Sequence, residues 1–119
     1  MPYYFGGIVM VKAKNIRKIK EDLERYKKLL EKETDFIKSL KYKRLIRECE
    51  FDLQDVEIQL YNFDIYIHND EGLHKEIFID RYIYNVPVRW IADKYNVSIS
   101  SVYRFLDKAI EVFESKYEL

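Results

Sequence analysis

Cysteine, proline and glycine are scarce in this 119-residue chain, which holds one Cys, two Pro and three Gly. The single thiol, Cys49, excludes an internal disulfide and suits a reducing cytoplasm. So little Gly and Pro leaves no material for a long flexible linker. No stretch approaches the roughly eighteen uninterrupted apolar residues of a membrane span, so no membrane partner is expected. Neither charge sign dominates: 21 Lys and Arg face 21 Asp and Glu. Catalytic signatures are missing too, with no Gly-rich phosphate loop and no Ser or Cys beside an evident base. The only group with metal-ligand chemistry is His68, Asp70, Glu71, His74 and Glu76. It lacks the helical H-E-x-x-H spacing, and an expected helix break separates its two histidines. The expectation is a non-enzyme with no catalytic residue, no metal and no cofactor.

What the chain does have is apolar residues at 48% and charged residues at 35%, arranged with helical periodicity. The first eleven residues, MPYYFGGIVMV, stand apart and read as a loose tail (1–11), with Met10 as an alternative start to Met1. From Asn15, a candidate cap, to Lys32 the residues Ile16, Ile19, Leu23, Tyr26 and Leu30 keep a three-four alternation. The charged run EKETD (31–35) lacks an apolar anchor and reads as a turn, with Thr34 or Asp35 capping the next helix. That helix is expected from Phe36 to about His68, with a seam of Ile46, Cys49, Leu53, Val56, Leu60, Phe63 and Ile67. It is too long for the first helix to cover. Either the C-terminal part folds back on the uncovered seam, or a second chain does, which motivates a homodimer through the long helices. Cys49 reads as a small apolar seam residue.

Residues 12–69 are therefore expected as a long antiparallel, coiled-coil-like helical hairpin, and 70–119 as a separate three-helix module, all-α throughout. Asn69, Asp70 and Gly72 are read as the break between them, with Asp70 capping a helix that carries Leu73, Ile77, Phe78 and Tyr82 to about Tyr84. Asn85, Val86 and Pro87 turn the chain, and Pro87 suits a helix start. Ile91, Ala92 and Tyr95 then share one face of a short helix, and Asn96 stands at a sharp turn favouring left-handed backbone. Val97 plugs that turn and Ser98 can cap a second helix. Its Val102, Phe105, Leu106, Ala109, Ile110 and Phe113 form one buried stripe. The small Ala92 permits close helix approach. This is helix-turn-helix spacing. Trp90, off the strict stripe, is read as a partly buried packing residue.

The run FIDRYIYNVPVRWIADKYNVSISSVYRFLDKAIEVF resembles region 4 of sigma-70-type factors: a leading helix, a turn, an IA-containing helix, a turn, and a recognition helix ending in Lys108-Ala109-Ile110. A charged helical segment followed by this module also resembles phage transcriptional regulators of the ArpU and RinA type. The resemblance implies a sequence-specific regulator reading promoter DNA with Ile99–Phe113, with RNA polymerase as an open second partner. It also implies base-facing places for Ser100, Ser101 and Arg104. With the stripe turned inward, the outward set is Ile99, Ser100, Ser101, Tyr103, Arg104, Asp107 and Lys108. The planar fork of Arg104 matches guanine O6 and N7, whereas Tyr103 and Arg89 suit phosphate contacts. The DNA-binding expectation is thus Arg89, Ser100, Ser101, Tyr103, Arg104 and Lys108.

Charge is segregated along the chain. Lys and Arg dominate from Lys12 to Arg47, whereas from Phe51 to Asp80 only Lys75 opposes eight carboxylates. Lys43, Arg44 and Arg47 are candidate helpers in phosphate binding, and a dimer would double the contacts of a weakly basic chain. Two other functions fit the same pattern: a DNA-packaging subunit like the small terminases, and a helical protein-interaction adaptor.

Overall fold

A computed structural model describes residues 10–65 and 71–115, and among them every regular element is helical. Of the expected tail, residues 1–9 lie outside this set, as do 66–70 and 116–119. No described helix is long and apolar enough to cross a membrane.

The first helix, α1 (Ile16–Lys32), follows a tight 3-10 turn at Ala13–Asn15. That turn removes the cap expected of Asn15. Its backbone is already helical at φ −96° and ψ −9°, so its side chain makes no capping bond, and its amide donates to the Lys12 carbonyl at 2.9 Å. One face of α1 buries Ile16 and Leu23. The other is solvated by i,i+4 pairs such as Arg17–Glu21 at 3.1 Å and Lys18–Asp22 at 3.5 Å. Exposed pairs of this kind contribute about 0.3–0.5 kcal/mol each, so α1 is held by its apolar face.

The charged run after α1 is the turn its lack of an apolar anchor predicts. Asp35 then caps α2 (Phe36–Leu60), its carboxylate accepting from the Lys38 amide at 2.9 Å. Here α2 packs along α1, and both helices are joined by only three residues. It stops short of the expected His68: the chain turns at Tyr61 and continues as the single-turn α3 (Asn62–Ile65). At this turn Gln59 and Asn62 are buried and hydrogen-bonded to distant backbone rather than solvated. Of the expected break, Asn69 and Asp70 lie outside the described residues, whereas Gly72 falls inside α4 (Glu71–Phe78).

After α4 the backbone widens into a π turn over Ile79–Ile83, closed by the Tyr84 amide on the Ile79 carbonyl at 3.1 Å. Asn85 takes a left-handed φ of 58°. Pro87 sits one place earlier than expected, as the extended residue before α5 (Val88–Tyr95), and its carbonyl accepts from Trp90 and Ile91. The last helix is α6 (Ile99–Phe113).

Two apolar clusters result. Ile77, Val88, Ile91, Ala92, Val102 and Leu106 close α4, α5 and α6 on one another. The second joins the chain's two ends: Val11, Ala13 and Ile16 meet Val56, Phe63 and Phe78, with Ala109, Val112 and Phe113 of α6. The Phe78 ring lies 4.5 Å from Phe113, 5.0 Å from Tyr82 and 5.6 Å from Phe63, and Tyr82 borders both clusters. Of the two coverings open to the α2 seam, the end of α6 supplies one over Val56 and Phe63. This part of the seam is therefore covered within the chain.

Candidate nucleic-acid interface

The geometry of α5 and α6 starts at Asn96. Its φ of 56° and ψ of 49° are left-handed, which reverses the chain after one residue. Its amide and that of Val97 return to Asp93 and Ala92 carbonyls, satisfying the end of α5. A β-branched residue would cost about 1–2 kcal/mol in this backbone, whereas Asn and Gly enter it readily. Ser98 then caps α6, its Oγ accepting from the Ser101 amide at 3.1 Å. Ala92 is buried between the helices, alongside Ile91 and Val102, both fully inaccessible.

This inward packing decides which side chains face out. Val102 and Leu106 are buried and Phe105 half-buried, so Ser100, Tyr103, Arg104, Asp107 and Lys108 are exposed, with Ser101 half-buried. The hydroxyls of Ser98, Ser100 and Ser101 form a chain, with Oγ to Oγ distances of 3.1 Å and 2.9 Å from Ser98. The Arg104 guanidinium extends it by donating to Ser101 Oγ at 2.9 Å. One guanidinium nitrogen is thus held against the helix, and the other donors point to solvent in a fixed plane. Lys108 pairs with Glu111 at 3.7 Å across an exposed surface. Arg89, exposed on the first turn of α5, has no ion pair among the described residues.

Trp90 is not the packing residue the sequence suggests. It is 65% exposed, because Val88, Ile91 and Ala92 already fill the inward face of α5. Its position off the stripe was the signal. Tyr84, 69% exposed, and Ile99, 48% exposed, add further apolar surface around the same two helices. The candidate helpers Lys43, Arg44 and Arg47 sit elsewhere. They belong to the part of α2 that runs beside α1, well before Gln59, which meets α6 at the end opposite Arg104.

Sequence reasoning also missed what steadies this unit. Asp80 is buried, and its Oδ2 accepts from Lys94 Nζ at 3.0 Å and the Tyr95 hydroxyl at 2.8 Å, while its carbonyl accepts from the Val86 amide. The π turn and the end of α5 are thereby clamped. Its hydrogen bond to Asp80 raises the Lys94 pKa, and burial, followed by the bond to Asp80, raises that of Tyr95. At the other end, Asn62 Nδ2 donates to the carbonyls of Val112, Phe113 and Ser115, capping α6 where its last acceptors would be orphaned. Gln59 exchanges bonds of 2.7 and 2.9 Å with the Val11 backbone and donates to Phe113.

Burial, then the nearby Asp22 carboxylate, pushes the Cys49 thiol up, away from a reactive thiolate. His74 stands edge-on to Phe105, centroids 4.9 Å apart, while His68 and Asp70 lie outside the described residues. No group of His, Cys, Asp and Glu among the described residues could hold a metal ion. The chain matches no protein-family model, and no curated protein or solved structure is similar to it.

Proposed function

We propose that α5, the Asn96 turn and α6 are a helix-turn-helix, and that the chain is a sequence-specific double-stranded DNA-binding regulator. The observation that carries this reading is the exposed, pre-ordered face of the first turns of α6. Ser100, Ser101 and Arg104 project from a helix whose opposite side is fully packed, at the N-terminal end that such modules lay in the major groove. Arg104, steadied by Ser101, reads guanine with its free donors, and Ser100 takes a phosphate or a tolerant base contact. Tyr103 and Lys108 follow along α6 and Arg89 opens α5; all three suit the sugar–phosphate backbone, which fixes register rather than sequence. Trp90 beside Arg89 adds an aromatic plate to that contact.

The weak basic character of this surface has a consequence. With only two or three cations on phosphates per chain, affinity falls with salt at a log–log slope of about −2 to −3 per chain, and non-specific binding is poor. Selection from a randomised duplex library tests the reading. The expected result is a discrete consensus that Arg104→Ala fails to enrich. Salt-sensitive binding with no enrichment would replace the regulator by a packaging role. No binding even at low salt would leave a protein-interaction module and overturn the DNA reading.

A further inference from the structure

One helix of this molecule is apolar on two opposite sides. The inner side of α2 carries Ile46, Cys49, Leu53 and Val56, which turn to α1 and the core. On the outer side Phe36, Leu40, Phe51 and Ile58 recur at helical spacing, and they are 71%, 46%, 56% and 52% exposed. At about 100° per residue these four fall within an arc of about 60° centred opposite Cys49. Single exposed apolar residues are ordinary, but a stripe along a helix about 37 Å long is not. The molecule measures 52 × 36 × 15 Å by its backbone, so it is thin in one direction.

The charges of α2 are sorted along its length. Lys38, Lys41, Lys43, Arg44 and Arg47 occupy its first half, and Glu48, Glu50, Asp52, Asp55 and Glu57 its second. None of the ten forms an ion pair with any described residue. On α1, by contrast, Arg17, Lys18, Arg25 and Lys27 each pair with a carboxylate three or four positions away. Asp52 and Asp55 have raised pKa values, through partial burial first and a neighbouring carboxylate second.

We propose that the outer face of α2 binds a second copy of this chain, antiparallel, about a two-fold axis close to Cys49. Leu40 of each chain then lies over Ile58 of the other, with Arg47 and Phe51 near the axis. In this order the basic half of one helix runs beside the acidic half of its copy. Arg44 approaches Asp55, Arg47 approaches Glu50, and each contact occurs twice, as an isologous interface requires. Flanking charges choose between orientations of paired helices, and here a parallel pair would set Lys43 and Arg44 against their own copies. This dimer uses the face opposite the seam that packs on α1, and it stands independently of the DNA reading. It would nevertheless carry two copies of α6.

The test is sedimentation equilibrium of the full chain in the absence of DNA. A dimer is expected, and Ile58→Glu, at an exposed position that leaves the core intact, should weaken it by about thirtyfold or more without lowering the melting temperature of the monomer. Arg44→Glu and Asp55→Arg should each weaken association, and the double variant should restore it. Oxidative crosslinking reports the orientation: Leu40→Cys chains should join Ile58→Cys chains rather than one another. A wild-type monomer at several hundred micromolar, a dimer indifferent to Ile58→Glu, or crosslinks of Leu40→Cys to itself would each overturn the proposal.

Discussion

The α1–α2 pair and the α4–α6 unit are built from the same helical material but are finished differently. In the second unit the turn between α5 and α6 and both ends of α6 are closed. Asn96 turns the chain, Ser98 caps α6, Asp80 clamps the end of α5, and Asn62 takes the last carbonyls of α6. Its exposed side chains are the ones left over once Ile91, Val102 and Leu106 are buried. In the first pair α1 has one apolar face and a laced polar one, whereas α2 leaves a second apolar stripe exposed and ten charges without an ion pair among the described residues. A helix gains stability from whatever covers its apolar faces, and the outer face of α2 is the one that no described element covers. The unit with closed ends presents a surface by surplus, and the open helix presents one by deficit.

The two regions nonetheless share one apolar cluster, and the largest predicted effect tests whether they melt together. Phe113 lies fully buried at the junction of Val11, Phe63 and Phe78. Phe113→Ala should cost about 3–5 kcal/mol and lower the melting temperature of both regions together. A calorimetric trace with an unchanged α1–α2 transition would show that they melt separately. Next in size, Gln59→Leu removes the partners of the Val11 amide and carbonyl. It should cost about 1–3 kcal/mol in urea unfolding, since buried backbone groups are left unsatisfied. A neutral result would mean that the N-terminal segment contributes little to the junction.

Asn96 sharpens the comparison from the other side. Asn96→Val should destabilise by about 1–2 kcal/mol, and Asn96→Gly should be close to neutral, because the cost lies in the left-handed backbone. Equal losses in both would assign the role to the side chain instead. The smallest effect concerns the clamp. Folding raises the pKa of Lys94 above its ordinary 10.5 and that of Tyr95 above 10.0, so both groups favour the folded state when protonated. Their contribution is complete below those ordinary values and is lost as the pH rises through the raised ones. Melting temperature should therefore fall as the pH rises above the ordinary value of 10.0 for Tyr95, less steeply in Lys94→Met.

Much of this organisation was legible in the sequence because it is local. The all-α class, the turn after Lys32, the Asp35 and Ser98 caps and the left-handed Asn96 each follow from a few neighbouring residues. The buried stripe of α6 follows from its period. What failed was tertiary. Asn15 lost its capping role to a 3-10 turn that no short pattern announces. The helix from Phe36 ends at Leu60, beside Gln59 and Asn62, whose partners lie some fifty positions away. The expected division at 69/70 did not reveal that Val11 and Ile16 share a core with Phe113. Trp90 was assigned to packing on residue type, although its place off the stripe pointed outward. Of the expected interface residues, Ser101 and Arg104 are joined by a hydrogen bond that adjacency on a helix makes possible but does not require.

The account turns on whether α6 reads base sequence, and the most direct measurement is a salt titration of binding to a selected duplex and to its scrambled counterpart, for the wild type and Arg104→Ala. The prediction is that wild type prefers the selected duplex at every salt concentration. Arg104→Ala should lose about 1–3 kcal/mol of that preference while its binding to scrambled DNA changes little. Equal weakening on both duplexes, with the preference intact, would make Arg104 a phosphate contact and contradict the assignment of α6 as the reading helix.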